Sequence, residues 1–176
     1  MTSDENGGDG MRAQGDGVAG QRSARSSRDP PPSSANLQRV RASFARQGAM
    51  ALIGARIVDL RGGYCALALT PRPETSQQHG YVHAGILATL VDSAGGYAGY
   101  TMFPDESSVL TVEFKLNLLA PAHGDEIVAE GFVVKSGRTL TVTRGDVHAV
   151  RQGERTLVAI MQQTLMTMHG RPDAKR

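Results

Sequence analysis

His83-Ala84-Gly85-Ile86-Leu87-Ala88-Thr89-Leu90-Val91-Asp92-Ser93-Ala94-Gly95-Gly96-Tyr97-Ala98-Gly99-Tyr100-Thr101-Met102 carries the longest helical pattern in the chain. Ile86, Leu87, Leu90, Val91, Ala94, Ala98 and Met102 recur three and four residues apart and form one apolar stripe. Pro104 and Asp105 close the segment. Four strand-like runs follow, at residues 109–118, 127–134, 139–150 and 156–168, without another helical pattern among them. One helix followed by consecutive strands predicts an antiparallel sheet curled around that helix, because hairpins join antiparallel neighbours and no crossover helix remains. The fold class is α+β.

Working outward, Leu37, Val40 and Phe44 predict a short amphipathic helix with Gly48 as its stop. Residues 55–60 and 64–69 read as strands split by a Gly62-Gly63 hairpin turn, with Pro71 and Pro73 ending the pairing. In the first run after the central helix, Leu110, Val112, Phe114, Leu116 and Leu118 alternate with Thr111, Glu113, Lys115 and Asn117, so one face is expected to be buried and the other polar. In the third, the apolar parity switches between Leu140/Val142 and Val147/Ala149, which predicts a β-bulge at Gly145.

The 176 residues fit one domain, expected at 36–170, with a C-terminal tail at 171–176. Residues 1–35 are rich in Gly, Ser, Arg, Asp and Pro and hold no aromatic residue, so they are expected to form a disordered N-terminal tail. Asp4, Glu5, Asp9 and Asp16 argue against a transit peptide there. No run reaches the roughly 18 apolar residues of a membrane span, and no signal-peptide core is present, so a cytoplasmic protein without a membrane partner is expected. A net charge of +2 with few aromatic residues argues against nucleic acid as a partner. The lone Cys65, in an apolar alternating setting, reads as a packed strand residue in a reducing compartment.

The face opposite the apolar stripe reads Gly85, Ala88, Thr89, Asp92, Gly95, Gly96 and Gly99. Glycine inside a helix costs about 1 kcal/mol relative to alanine, so a ligand or another backbone is expected to come close here. Two explanations stay open: the glycines serve helix packing and Asp92 merely caps, pairs or faces water, or Asp92 is a partly desolvated acid with a raised pKa. At His83-Ala84-Gly85 the first backbone N–H groups have no intrahelical acceptor and lie at the positive end of the helix dipole, a natural oxyanion pocket for acyl transfer.

The run Gln77-Gln78-His79-Gly80-Tyr81-Val82-His83-Ala84-Gly85 continuing to Asp92 resembles the motif of hotdog-fold thioesterases of the PaaI-like, phenylacetate-degradation group. Thr111-Val112-Glu113-Phe114-Lys115-Leu116-Asn117-Leu118-Leu119-Ala120-Pro121-Ala122 is similar to that family's second block, and the resemblance spans residues 41 to about 168. It implies a hotdog fold and acyl-coenzyme A hydrolysis without metal or bound cofactor. Asp92 would be general base or nucleophile, with Ala84 and Gly85 supplying oxyanion N–H donors. Gln77 would position water or substrate, and Thr111 would lie near the attacking water. His83, Asn117 and Arg138 would contact substrate, Arg138 gripping the coenzyme A phosphates, although His83 also reads as a structural hydrogen-bonding residue at the helix start.

The motif usually reads His-Gly-Gly; Ala84 keeps the donor but adds a methyl group and excludes positive φ. The resemblance also implies a homodimer or homotetramer, with Gln77 of one chain and Asp92 of the other sharing a site. Two rivals would use the same pocket: a hotdog dehydratase or hydratase relying on His79 or His83, and a non-catalytic acyl-CoA-binding module. His79 and His83 lack a third ligand for a metal, and His123, His148 and His169 have no motif context. For Lys135, Arg144 and Arg151 two readings stay open, a contact with the coenzyme A phosphates that the resemblance implies and a solvated strand-edge role.

Overall fold

The computed structural model describes residues 33–173, so most of the expected N-terminal tail and the last three residues lie outside the described residues. Its elements are α1 (Ser34–Ala45), α2 (Gly48–Ile53), β1 (Arg56–Arg61), β2 (Tyr64–Leu69), a 3-10 turn (Pro73–Thr75), α3 (Ala84–Tyr100), β3 (Ser107–Leu118), β4 (Glu126–Ser136), β5 (Leu140–Arg151) and β6 (Glu154–His169). The strands form one sheet in the order β1-β2-β4-β5-β6-β3, and every neighbouring pair is antiparallel. Helix α3 contacts β2, β3, β4, β5 and β6, so the sheet wraps around it as expected.

The helices differ from expectation in three places. Helix α1 begins at Ser34, capped by the Ser33 side chain accepting from the Asn36 N–H, two residues before the expected start. Gly48 opens a second helix rather than stopping the first, because Met50 and Ile53 have core places to fill. From Ser93 to Tyr100, α3 is buried on every side, so it has no solvated face opposite the apolar stripe. One side meets the sheet; on the other, Phe44 of α1 packs edge-on against Tyr97 at 5.6 Å.

The bulge expected at Gly145 is absent: Gly145 pairs in regular register with Gly131 and Met161. The inner face of β5 is Thr141, Thr143, Gly145, Val147 and Ala149, all buried, whereas Leu140 and Val142 lie on the outer face. The apparent parity switch arose because two threonines occupy core positions. Register shifts occur instead next to Val134 in β4, between Val147 and His148 on the β5–β6 pairing, and between Thr111 and Glu113 in β3.

That last bulge changes the reading of β3. Thr111 pairs with Leu165 and Phe114 with Gln163, both inner-face residues of β6, so Thr111, Phe114, Leu116 and Leu118 point to the helix side while Leu110, opposite Met166, points outward. As β3 is the sheet edge, its expected buried face is not covered: Leu110, Val112, Phe114 and Leu118 are 55%, 55%, 48% and 53% exposed.

Arg39 of α1 anchors the far end of α3. Its guanidinium donates to the carbonyls of Phe103, Pro104 and Asp105 at 3.0, 2.8 and 2.7 Å and stacks over the Tyr100 ring at 4.3 Å. A cation there complements the negative end of the helix dipole. Cys65 is fully buried, and burial pushes its thiol up to about 12, in keeping with a packed strand residue. Among the described residues no helix is long and apolar enough to cross a membrane.

Candidate active site

Asp92 stands midway along α3, half-buried, and its carboxylate is held from one side only. Oδ1 accepts from Thr111 Oγ1 at 2.8 Å and from Gln163 Nε2. The Gln163 amide also reaches Thr111 Oγ1 at 3.1 Å and the Asp92 carbonyl at 3.2 Å, and its Oε1 accepts from Thr143 Oγ1 at 2.9 Å. Asp92 Oδ2 has no hydrogen-bond partner among the described residues and faces a cleft of about 460 Å³ lined by Ser43, Arg46, Gln47, Gly96, Tyr97 and Val109. Desolvation raises the Asp92 pKa above the ordinary carboxylate range, against the lowering effect of the bonds from Thr111 and Gln163.

The helical glycines divide by role. A Cβ on Gly95 would lie 2.2 Å from Gln163 Oε1 and 2.9 Å from Thr143 Oγ1, so Gly95 is what lets the glutamine reach Asp92. Gly99 would meet Leu165 Cδ1 at 2.3 Å. Both serve close helix–sheet packing, as one of the two open explanations held. Gly96 is different: its Cβ would meet nothing within 4 Å, and it faces the cleft.

Gln163 was not legible as a site residue. The available signal was a polar side chain between Met161 and Leu165 at core parity in β6. Replacing it by Leu removes a donor to the ionised carboxyl, so Asp92 in Gln163→Leu is expected to titrate at higher pH than in wild type. Carboxyl carbon NMR shifts followed against pH measure this directly; an unchanged or lower midpoint would show that Gln163 does not hold the charge.

The helix start lies elsewhere. His83 is the N-cap, with φ −63° and ψ 138°, and its Nδ1 accepts from the Gly85 N–H at 2.9 Å. Of the two expected donors, Gly85 N–H is therefore occupied, and Ala84 N–H is the one with no acceptor among the described residues. A second cleft, of about 480 Å³, joins Ala84 and His83 to Gln77, Tyr81, Leu118 and Pro121. Gln77 Oε1 accepts from the His79 N–H within the loop, leaving the Nε2 end of the amide for the cleft. Ala84 and Asp92 are eight residues apart on one helix, about 12 Å along its axis, too far for both to touch one carbonyl group.

The structure thus brings Asp92 and Thr111 together, and Gln77, His83 and Ala84 together, in separate clefts of one chain. Asn117 and Arg138 line neither. Asn117 pairs with Ile160 and points to the outer side of β3, and Arg138 is exposed in the β4–β5 hairpin, where its carbonyl accepts from His169 Nε2 at 2.8 Å. No group of three metal-ligating side chains comes together among the described residues.

A six-stranded antiparallel sheet wrapped around one long helix, α3, is the hotdog architecture. The thioesterase superfamily profile matches residues 79–156. A solved thioesterase family protein from Silicibacter pomeroyi is 47% identical, with 77% of this chain and 99% of that one covered and a TM-score of 0.76. This chain belongs to the thioesterase superfamily. The E. coli PaaI protein of the phenylacetic acid degradation operon shares the fold at 20% identity and a TM-score of 0.69, covering 77% of this chain and 95% of that one. A candidate esterase of Halobacterium salinarum is 35% identical over 101 residues, 54% of this chain and 66% of its own length. The chain spans 59% to 66% of the length of this and two Saccharolobus solfataricus relatives.

Proposed function

We propose that this protein hydrolyses acyl-coenzyme A thioesters, with Asp92 acting on water or on the thioester itself, in a site that a second copy of the chain completes. The observation that carries the reading is the asymmetric Asp92 carboxylate: Oδ1 is fixed by Thr111 and Gln163, and Oδ2 is left facing the cleft with a raised proton affinity. Membership of the thioesterase superfamily supports the reaction class.

In the general-base route Oδ2 takes a proton from water as the oxygen attacks the thioester carbonyl. The resulting oxyanion is held by the Ala84 N–H at the positive end of α3. Collapse breaks the C–S bond, and the proton on Asp92 goes to the leaving thiolate. In the nucleophilic route Oδ2 attacks the carbonyl, the thiolate leaves, and water opens the mixed anhydride.

If Ala84 and Asp92, about 12 Å apart along one helix, serve the same carbonyl group, they come from different chains. The exposed apolar edge strand β3 offers the means. Thr111 near its start borders the Asp92 cleft and Leu118 at its end borders the Ala84 cleft. An antiparallel pairing of two β3 edges, centred near Phe114, sets the Asp92 cleft of one chain against the partner subunit's Ala84 and Gln77. Arg138, on the exposed hairpin, is the candidate grip for the coenzyme A phosphates.

The test is thiol release from acetyl-, octanoyl- and phenylacetyl-CoA by the purified protein. Turnover is expected, with kcat falling as pH drops through the raised Asp92 pKa, because only the ionised form accepts a proton. Tight binding of every thioester with no thiol released would contradict the hydrolase reading.

A further inference from the structure

Gly95 and Gly99 are explained by the sheet that lies on them, but Gly96 is not. Its missing Cβ opens on the cleft that holds Asp92 Oδ2, and the cleft runs on past the Tyr97 ring and Val109 to Ser43, Arg46 and Gln47 of the α1–α2 corner. Glycine in mid-helix is unfavourable, and nothing in the packing demands it at this position. What it leaves is a path along the cleft from the Asp92 carboxylate to Arg46.

Arg46 is the one cation among the described residues lining this cleft. Its NH1 donates to the Ala42 carbonyl at 2.9 Å, which holds the guanidinium in place, and its NH2 meets a carboxylate, that of Asp173, at 3.1 Å. The Asp173 partner comes from beyond the last strand, and the pair is solvent-accessible, with the Arg46 and Asp173 side chains 47% and 27% exposed. An ion pair so exposed is weak and exchanges readily for another carboxylate. Ser43 and Gln47 place a hydroxyl and an amide beside it, and the Gln47 amide oxygen lies 3.5 Å from the Tyr97 hydroxyl. The cleft therefore runs from Asp92 past Gly96, Tyr97 and Val109 to an end where the Arg46 guanidinium, paired with Asp173, stands beside the Ser43 hydroxyl and the Gln47 amide.

We infer that this cleft is the acyl subsite and that it selects acyl groups ending in a carboxylate, which takes the place of Asp173 on Arg46 while the chain lies over Gly96. The substrate class is the coenzyme A monothioester of a dicarboxylic acid. The inference rests on the hydrolase reading above and specifies its substrate.

The test compares suberoyl-CoA with octanoyl-CoA, which differ in the terminal carboxylate at equal chain length. In wild type kcat/KM is expected to favour suberoyl-CoA about 10-fold or more, the scale of one charge-assisted hydrogen-bonded contact. Arg46→Gln is expected to bring the ratio to about one, while Asp173→Asn lowers KM for suberoyl-CoA alone. Gly96→Ala is expected to raise the melting temperature yet lower kcat/KM for both eight-carbon substrates more than for acetyl-CoA, a combination that a packing role would not give. A wild-type preference for octanoyl-CoA, or an Arg46→Gln ratio equal to that of wild type, would overturn the inference. So would equal weakening of acetyl-CoA, octanoyl-CoA and free coenzyme A by Arg46→Gln, which would put Arg46 on a phosphate of the carrier. Calorimetric binding of the non-cleavable thioether analogues of the two substrates gives the same comparison without turnover. Absence of hydrolysis would then sink the hydrolase reading, and the analogue ratio would still decide for or against Arg46.

Discussion

Asp92→Asn protein is expected to release thiol about 10³-fold more slowly than wild type, the scale of a lost general base, and to fold at least as stably. Asparagine keeps an oxygen where Oδ1 accepts from Thr111 and Gln163, so the hydrogen-bonded half of the site survives. The change falls on the other half, where an NH2 group replaces Oδ2 in the cleft and can neither accept a proton from water nor attack a carbonyl. The stability part follows from the sign of the pKa shift. The folded protein raises the Asp92 pKa, so it binds that proton more tightly than the unfolded chain does. Ionised Asp92 therefore costs stability as pH rises above the unfolded carboxylate range, and the neutral amide removes that cost at neutral pH. Thiol release at saturating acyl-CoA, with thermal melts of both proteins, measures the two together. Near-wild-type turnover in Asp92→Asn would reject Asp92 as the reacting group.

Gly131→Ala is expected to be the most damaging single methyl group in the domain, lowering stability by about 4 kcal/mol. Gly131 sits in β4 directly beneath α3, and its Cβ would lie 2.3 Å from the Ala94 carbonyl oxygen, 2.4 Å from its carbon and 2.5 Å from the Gly95 nitrogen. These are backbone atoms, so no side chain can rotate away and the helix must lift. Lifting α3 here separates Gly95 from Gln163 and Thr143, so the carboxylate network loosens with the core. Urea unfolding of wild type and variant gives the value. A loss under about 1 kcal/mol would mean that α3 does not rest on β4 at this point.

These two sites also show what periodicity in a sequence can and cannot carry. The central helix and β2 were legible because their apolar residues repeat at 3.6 and pack at both faces, and Gly62-Gly63 marked the first hairpin, where Gly63 adopts φ 71°. Helix α2 was hidden because six residues without a side-chain cap make a weak local signal, and its helicity comes from the burial of Met50 and Ile53. The inner face of β5 was misread because Thr141 and Thr143 look solvated in sequence yet face the helix, Thr143 satisfied by Gln163. Helix geometry alone offered the Ala84 and Gly85 N–H groups as an oxyanion pocket and left Asp92 open between packing and chemistry, and only the resemblance to hotdog thioesterases gave Asp92 its proposed role. Gln163 did not, because its contact with Asp92 spans 71 positions and depends on the β3–β6 register, including the bulge that turns Thr111 inward.

The central claim is that one working site takes Asp92 from one chain and the Ala84 N–H from another, and mixing two inactive proteins tests it most directly. Ala84→Pro deletes only the N–H: Ala84 is the first helical residue, where proline is tolerated, and His83 already holds the extended conformation that precedes proline. Ala84→Pro and Asp92→Asn are each expected to be nearly inactive alone. Unfolded and refolded together in equal amounts, half of the dimers carry one mutant chain of each kind, and each such dimer has one unaltered site. The mixture should then recover about a quarter of wild-type thiol release. A mixture no more active than its two components would show that Asp92 and the Ala84 N–H do not share a site across two chains and contradict the account.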